Sequence, residues 1–134
     1  MKDITEHIKS SRREGHIEFY IVERSSDRVI SRMPVTDGIR NPFGTVQAGA
    51  LIWFADVSAS ILILENQTLS AEKKGFPLAI DLHTVLLRNQ TEGEVTAEAG
   101  FVRKGKKVMV VRTVIKGKEG KLLAEITSTH IPAT

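Results

Sequence analysis

The chain has 134 residues, 41% of them hydrophobic and 26% charged, which is the size and balance of one globular domain with a core of its own. It has no cysteine, which excludes disulfides, thiolate metal sites and a cysteine nucleophile, and fits a reducing, cytoplasmic setting. A net charge of +3 with five Phe, one Tyr and one Trp is too weak a basic and aromatic signal for a nucleic-acid partner.

Residues 1–12 read as a short N-terminal helix with Ile4 and Ile8 on one side, and the start lacks the apolar run of a secretory signal. Residues 16–23 and 28–35 read as strands around the turn Ser25-Ser26-Asp27. Residues 36–46, with Asp37-Gly38 and Asn41-Pro42, read as a loop. Residues 48–65 form the central helix, so apolar that it is expected to be wrapped on most sides. A membrane span is the rival reading, but the run is short and Asp56 near its middle would cost roughly 2.5–3.5 kcal/mol. No membrane partner is expected.

A polar stretch over 65–74 and the breaker Gly75-Phe76-Pro77 follow. Four strands are then expected at 78–89, 94–104, 106–116 and 121–131, with the clearest alternation at Val95, Ala97, Ala99 and Phe101. The expected architecture is a single α+β domain over residues 1–134. In it, two N-terminal strands and a later meander curl as an antiparallel sheet around one long helix. One sheet face remains to be covered, and a second copy of the chain is the economical cover.

The chemistry concentrates in Asn41-Pro42-Phe43-Gly44-Thr45-Val46-Gln47-Ala48-Gly49-Ala50-Leu51-Ile52-Trp53-Phe54-Ala55-Asp56, a Gly-containing turn opening into the apolar helix. The Ala48 and Gly49 N–H groups at the helix start, with the positive end of its dipole, are suited to hold an oxyanion. Gln47 and Asn41 are further donors, or position a water. Asp56 is either a carboxylate holding a backbone group or a lysine, or a base in an apolar pocket. It lies eight residues after Ala48, about 12 Å along the axis. The two cannot grip one reacting group from a single protomer, so their cooperation requires two subunits.

Arg103, Lys104, Gly105, Lys106 and Lys107 form a basic hairpin, with Arg88 on an earlier strand. They are either a solvated edge that discourages aggregation or a phosphate-binding rim. Gly100 to Lys106 mimics a phosphate loop, but no Ser or Thr follows the Lys and the setting is strand-turn-strand. His7, His16, His83 and His130 have no metal-ligand spacing, so no metal is expected. His83 near Asp81 reads as an ordinary strand position.

The long motif resembles the one that opens the central helix in hotdog-fold acyl-CoA thioesterases of the PaaI-like type. The likeness continues through Leu78-Ala79-Ile80-Asp81-Leu82, the basic hairpin and the strand start at Gly120-Lys121-Leu122-Leu123-Ala124. The resemblance implies a homodimer, possibly a dimer of dimers, hydrolysing a small to medium acyl- or aryl-CoA held between subunits, with CoA as part of the substrate and no separate cofactor. By position it makes Asp56 the catalytic acid, Asn41 the residue that positions water or carbonyl, and the Ala48 N–H the oxyanion donor, beside Gln47 and Gly49. Residues 86–91 and 103–108, with Ala79 and Asp81, fall where the family meets its substrate, which includes Arg88, Asn89 and Val108. Three positions depart from the pattern: Gln47 replaces His, Ala48 replaces Gly, and Ala79 replaces a Ser or Thr. A non-catalytic acyl-CoA binder and an enoyl-CoA hydratase are the alternatives, and the second lacks the histidine it would need at position 47.

Overall fold

Helix α2, Ala48–Leu64, is the most apolar segment of the chain, and the sheet is built around it. The computed structural model describes residues 3–67 and 77–133. Its other elements are α1 (Ile4–Ser10), β1 (Tyr20–Arg24), β2 (Arg28–Pro34), β3 (Leu78–Leu86), β4 (Glu94–Lys104), β5 (Met109–Lys116) and β6 (Leu122–Ile131), with 3-10 turns at Asp37–Ile39 and Lys118–Gly120. These strands form one antiparallel sheet in the order β1-β2-β4-β5-β6-β3.

Only β4, β5 and β6 follow the expected meander. β3 crosses to the far edge and pairs with β6, because β2 occupies the flank of β4 from Arg28↔Gly100 to Pro34↔Glu94. Alternation then sorts the side chains. Val95, Ala97 and Ala99 of β4, Val111 and Ile115 of β5, and Ala124, Ile126, Ser128 and His130 of β6 are buried on the helix side. From α2, Leu51, Phe54, Ala55, Ser58 and Leu62 are buried with them, a stripe at helical spacing.

The helix is not enclosed all round. Ala48, Gly49 and Trp53 are exposed, and Ile52 and Asp56 half-buried, on the side turned from the sheet. The Phe19 ring meets Trp53 edge-on at 5.7 Å and covers part of that stripe. The outer edge of β3 is open too: Leu78, Ile80, Leu82 and Leu86 are between 41% and 60% exposed. A nine-residue apolar edge strand is a ready template for pairing with another chain.

Element ends differ from expectation for local reasons. The first strand starts at Tyr20, not at residue 16, because the segment before it packs on the turn at 36–38. There Asp37 accepts from Arg13 and from the Glu14 N–H, and the His16 carbonyl accepts from the Thr36 hydroxyl. β5 starts at Met109 because Lys106 to Val108 are used in the turn. A Cβ on Gly105 would come 2.4 Å from the Val108 oxygen, so that turn closes only on glycine. β3 stops at Leu86 because the Leu87 and Arg88 N–H groups both turn to the Leu123 carbonyl, at 2.8 and 3.1 Å. Residues 1–2 of the expected N-terminal helix and Gly75-Phe76 of the expected breaker lie outside the described residues.

Candidate active site

The loop before α2 is held by two asparagines. The Asn41 Oδ1 accepts from the Phe43 N–H at 2.9 Å and the Thr45 N–H at 3.2 Å, while its Nδ2 donates to Thr45 Oγ1 at 2.6 Å. Most of that carboxamide is therefore spent on folding its own turn, and one amide hydrogen remains for a water or carbonyl. Gly44, at φ 83°, supplies the left-handed residue the same turn needs. Asn89 grips Val46 from both sides: its Oδ1 accepts the Val46 N–H at 3.0 Å and its Nδ2 donates to the Val46 carbonyl at 3.3 Å. The Asn89 side chain is thus engaged in fixing the residue that precedes Gln47.

Gln47 is the N-cap of α2, with φ −67° and ψ 141°, but its side chain caps nothing. Its Nε2 donates instead to the Arg40 carbonyl at 3.2 Å. The Ala48 and Gly49 N–H groups consequently have no partner among the described residues, and both residues are exposed. An uncapped, accessible helix start presents these donors and the positive dipole end to an anion.

Asp56 lies seven residues after Gly49, on the same open face and nearly two turns further along. It is half-buried and makes no hydrogen bond or ion pair with a described residue. The alternative in which it holds a backbone group or a lysine is therefore not the arrangement found.

Sequence reading passed over His130. It is fully buried on β6, with Nε2 at 2.8 Å from Ser128 Oγ. Burial pushes its pKa below the usual histidine range, and the Asp56 carboxylate acts in the opposite sense. No spacing in the sequence links residues 56 and 130, because only the sheet order brings β6 under this part of the helix.

A bulge at Ile80 separates two expected site residues. Ala79 pairs with the inward His130, whereas Asp81 pairs with Thr129 and so lies on the opposite face of the sheet from α2. His83, opposite Thr127, shares that outer face.

The basic residues divide as well. Lys104 pairs with Met109, and its ammonium lies 5.5 Å from the Phe101 ring centroid. With Lys106 it rims a cavity of about 550 Å³ beyond the C-terminal end of α2, walled by Ile63, Phe101, Met109 and Pro132. Arg103, Lys107 and Val108 are exposed and lie outside that lining. Arg88 opens instead on a polar cleft of about 610 Å³ shared with Thr45, Lys118 and Lys121. The nine residues from Leu78 to Leu86 separate the two ends of β3 by about 26 Å. Arg88 and the hairpin therefore lie at opposite ends of the sheet within one protomer.

Among the described residues no His, Asp and Glu cluster could hold a metal ion. No helix of the described residues is long and apolar enough to cross a membrane.

No family model matches the chain. Over 103 residues it is 33% identical to a Deinococcus radiodurans protein provisionally named an esterase, a match that takes in 75% of this chain and 60% of that protein. The chain thus spans about three-fifths of the curated relative it matches. A mutant of a Staphylococcus aureus thioesterase superposes with a TM-score of 0.79 at 25% identity, over 87% of this chain and 93% of the other. A Haemophilus influenzae thioesterase gives 0.74 at 25% identity, over 84% and 76%. A Streptococcus mutans protein solved with acetyl CoA gives 0.78 at 16% identity, over 90% and 92%, and bears on the fold alone.

If Asn89 fixes the entry to α2, Asn89→Ala lowers stability by about 1–2 kcal/mol in denaturant unfolding and speeds amide exchange at Val46 more than in β4 or β5. Unchanged exchange at Val46 would show that the clamp is incidental.

Proposed function

Because the chain has the hotdog fold of these thioesterases, we propose that it is an acyl-CoA thioesterase, releasing free acid and CoA from a small to medium acyl- or aryl-CoA. The observation that carries the reading is the pairing, on one open helix face, of two unpartnered backbone donors with an unpaired carboxylate. In this reading the thioester oxygen accepts hydrogen bonds from the Ala48 and Gly49 N–H groups of one protomer. Asp56 of the partner subunit takes a proton from water as that water attacks the carbonyl carbon, or attacks it directly to give an anhydride that water then opens. The tetrahedral oxyanion stays on the two N–H groups, and its collapse expels the CoA thiolate. Gln47 and the remaining Asn41 amide hydrogen line the approach.

The dimer follows from the same helix. Two antiparallel copies of α2 bring Ala48 of one level with Asp56 of the other only if the two-fold axis passes level with Ile52, midway between them. Ile52 is half-buried on the open side, and the apolar edge of β3 offers a second surface to the same neighbour. Antiparallel β3 edges would also run the Arg88 end of one protomer toward the Lys104 and Lys106 end of its partner. The two basic clusters, apart within one chain, would then meet around the phosphates of one CoA.

Two experiments test this reading. Asp56→Asn should cut thiol release from a panel of CoA thioesters by at least about a hundredfold. Ala48→Pro, which deletes one donor at a first-turn position that tolerates proline after an extended Gln47, should lose a similar factor with the fold intact. CoA-ester binding without thiol release, indifferent to Asp56, would make the protein a binder instead, and enoyl-CoA hydration would make it a hydratase. Since the chain has no cysteine, Ile52→Cys provides a single thiol, and a short bifunctional thiol reagent should join two copies through it. Failure to cross-link there, with efficient cross-linking from a cysteine on the outer sheet face, would overturn the axis.

A further inference from the structure

We propose that residues 3–16 are a strap that positions Asn41: His7 and Arg13 donate to the Pro42 carbonyl and so fix, from outside, the turn that aims the free amide hydrogen of Asn41 at the substrate. The inference rests on the thioesterase reading of the site and adds two residues that lie well outside its motif.

None of residues 3–16 is buried, and helix α1 within them contributes nothing to the core. A chain end of this kind is ordered only where it is tied down. The ties run to residues 36–43, in the loop that leads to α2. His7 Nε2 lies 2.8 Å from the Pro42 oxygen, and because a carbonyl only accepts, that nitrogen carries the hydrogen. Arg13 Nη2 donates to the same oxygen at 3.3 Å, and its Nη1 pairs with Asp37 at 2.9 Å. The centroid of the His7 ring is 5.0 Å from that of Phe43. Further on, the strap crosses the loop backbone to backbone, where a Cβ on Gly38 would come 2.5 Å from the Gly15 oxygen.

The captured turn is the tip of a small hairpin that ends at the helix start. Arg40 bridges Val46, the Asn41 N–H donates to the Thr45 carbonyl at 2.7 Å, and the Gln47 N–H donates to the Ile39 carbonyl at 2.8 Å. At the tip, the Pro42 carbonyl and the Phe43 N–H belong to one rigid peptide plane. Asn41 Oδ1 accepts from the N–H side of that plane at 2.9 Å, and His7 and Arg13 hold its carbonyl side. The plane cannot rotate without breaking both sets of bonds, so the strap and the Asn41 carboxamide move together. Asp37 adds a second link. Its Oδ1 lies 2.9 Å from Arg13 and 3.7 Å from Arg40, whose carbonyl accepts from Gln47 Nε2.

The test uses the full-length protein. His7→Phe keeps a ring against Phe43 but deletes the donor; combined with Arg13→Ala it should lower kcat for thiol release about ten- to a hundredfold with KM held within about twofold. His7→Gln, whose amide can still donate to Pro42, should stay within about threefold of wild type. Asn41→Asp keeps acceptors for the Phe43 and Thr45 N–H groups but has no amide hydrogen, and in that background the strap substitutions should cost no further activity. A wild-type kcat in the double variant, or the same loss in the Asn41→Asp background, would overturn the proposal. Amide exchange gives a readout independent of catalysis: the Phe43 and Thr45 N–H groups should exchange at least about tenfold faster in the double variant. Unchanged exchange at both would overturn the proposal even where Asn41→Asp is too slow to assay. If the wild-type protein releases no thiol, the thioesterase reading fails, and the exchange rates still decide whether the strap holds the turn.

Discussion

The distance between the start of α2 and Asp56 governs everything else in the proposed site. A rigid helix fixes it at about 12 Å, and no side-chain rotation brings the carboxylate back to the N–H groups of its own first turn. A carbonyl carbon and its oxygen are about 1.2 Å apart, so donors and base must meet across a far smaller gap than one helix allows. The fold answers with an open stripe through Gly49, Ile52 and Asp56 and an apolar edge on β3. Both are costly to leave in water and both invite a second copy. In this account the unburied surface of the protomer and the incompleteness of its site have one cause.

The rest of the protomer serves to hold that helix still and leave its first turn unoccupied. Large side chains such as Phe54 and Leu62 anchor it to the sheet, and the alanines of β4 and α2 pack in the same two core clusters. Upstream, Asn41 and Asn89 spend their hydrogen bonds on the backbone of residues 43–46, so the chain enters the helix in a fixed direction. Gln47 stands at the cap without capping, which a Ser or Asp at that position would do. Such a cap would satisfy one of the donors that the proposed chemistry uses. The helix start gives up that stabilisation and keeps its N–H groups free.

Much of this was legible in the sequence. The helix was marked by its length and lack of a polar face and β4 by its alternation, and the spacing from the helix start to Asp56 is that of the helix found. What was hidden depends on strand order, which local pattern does not encode. Sequence alone let β3 continue the meander, whereas β2 displaces it to the far edge. That displacement brings Ala79 beside His130 and turns Asp81 to the outer face through the bulge at Ile80. Arg88 and the basic hairpin looked like one cluster because both are basic and both border strands, yet they occupy opposite ends of the sheet. The grip of Asn89 on the backbone of Val46 appears only when its partner, residue 46, is in view.

The central claim, that donors and base come from different subunits, is tested most directly by mixing two inactive proteins. Ala48→Pro lacks an N–H donor but keeps Asp56, and Asp56→Asn lacks the base but keeps the donors. Unfolded together and refolded, random pairing should restore about a quarter of wild-type thiol release, since half the dimers are hybrids with one intact site of two. Mixtures that stay as inactive as their components, with hybrid dimers demonstrably formed, would place donors and base in the same subunit and contradict the account.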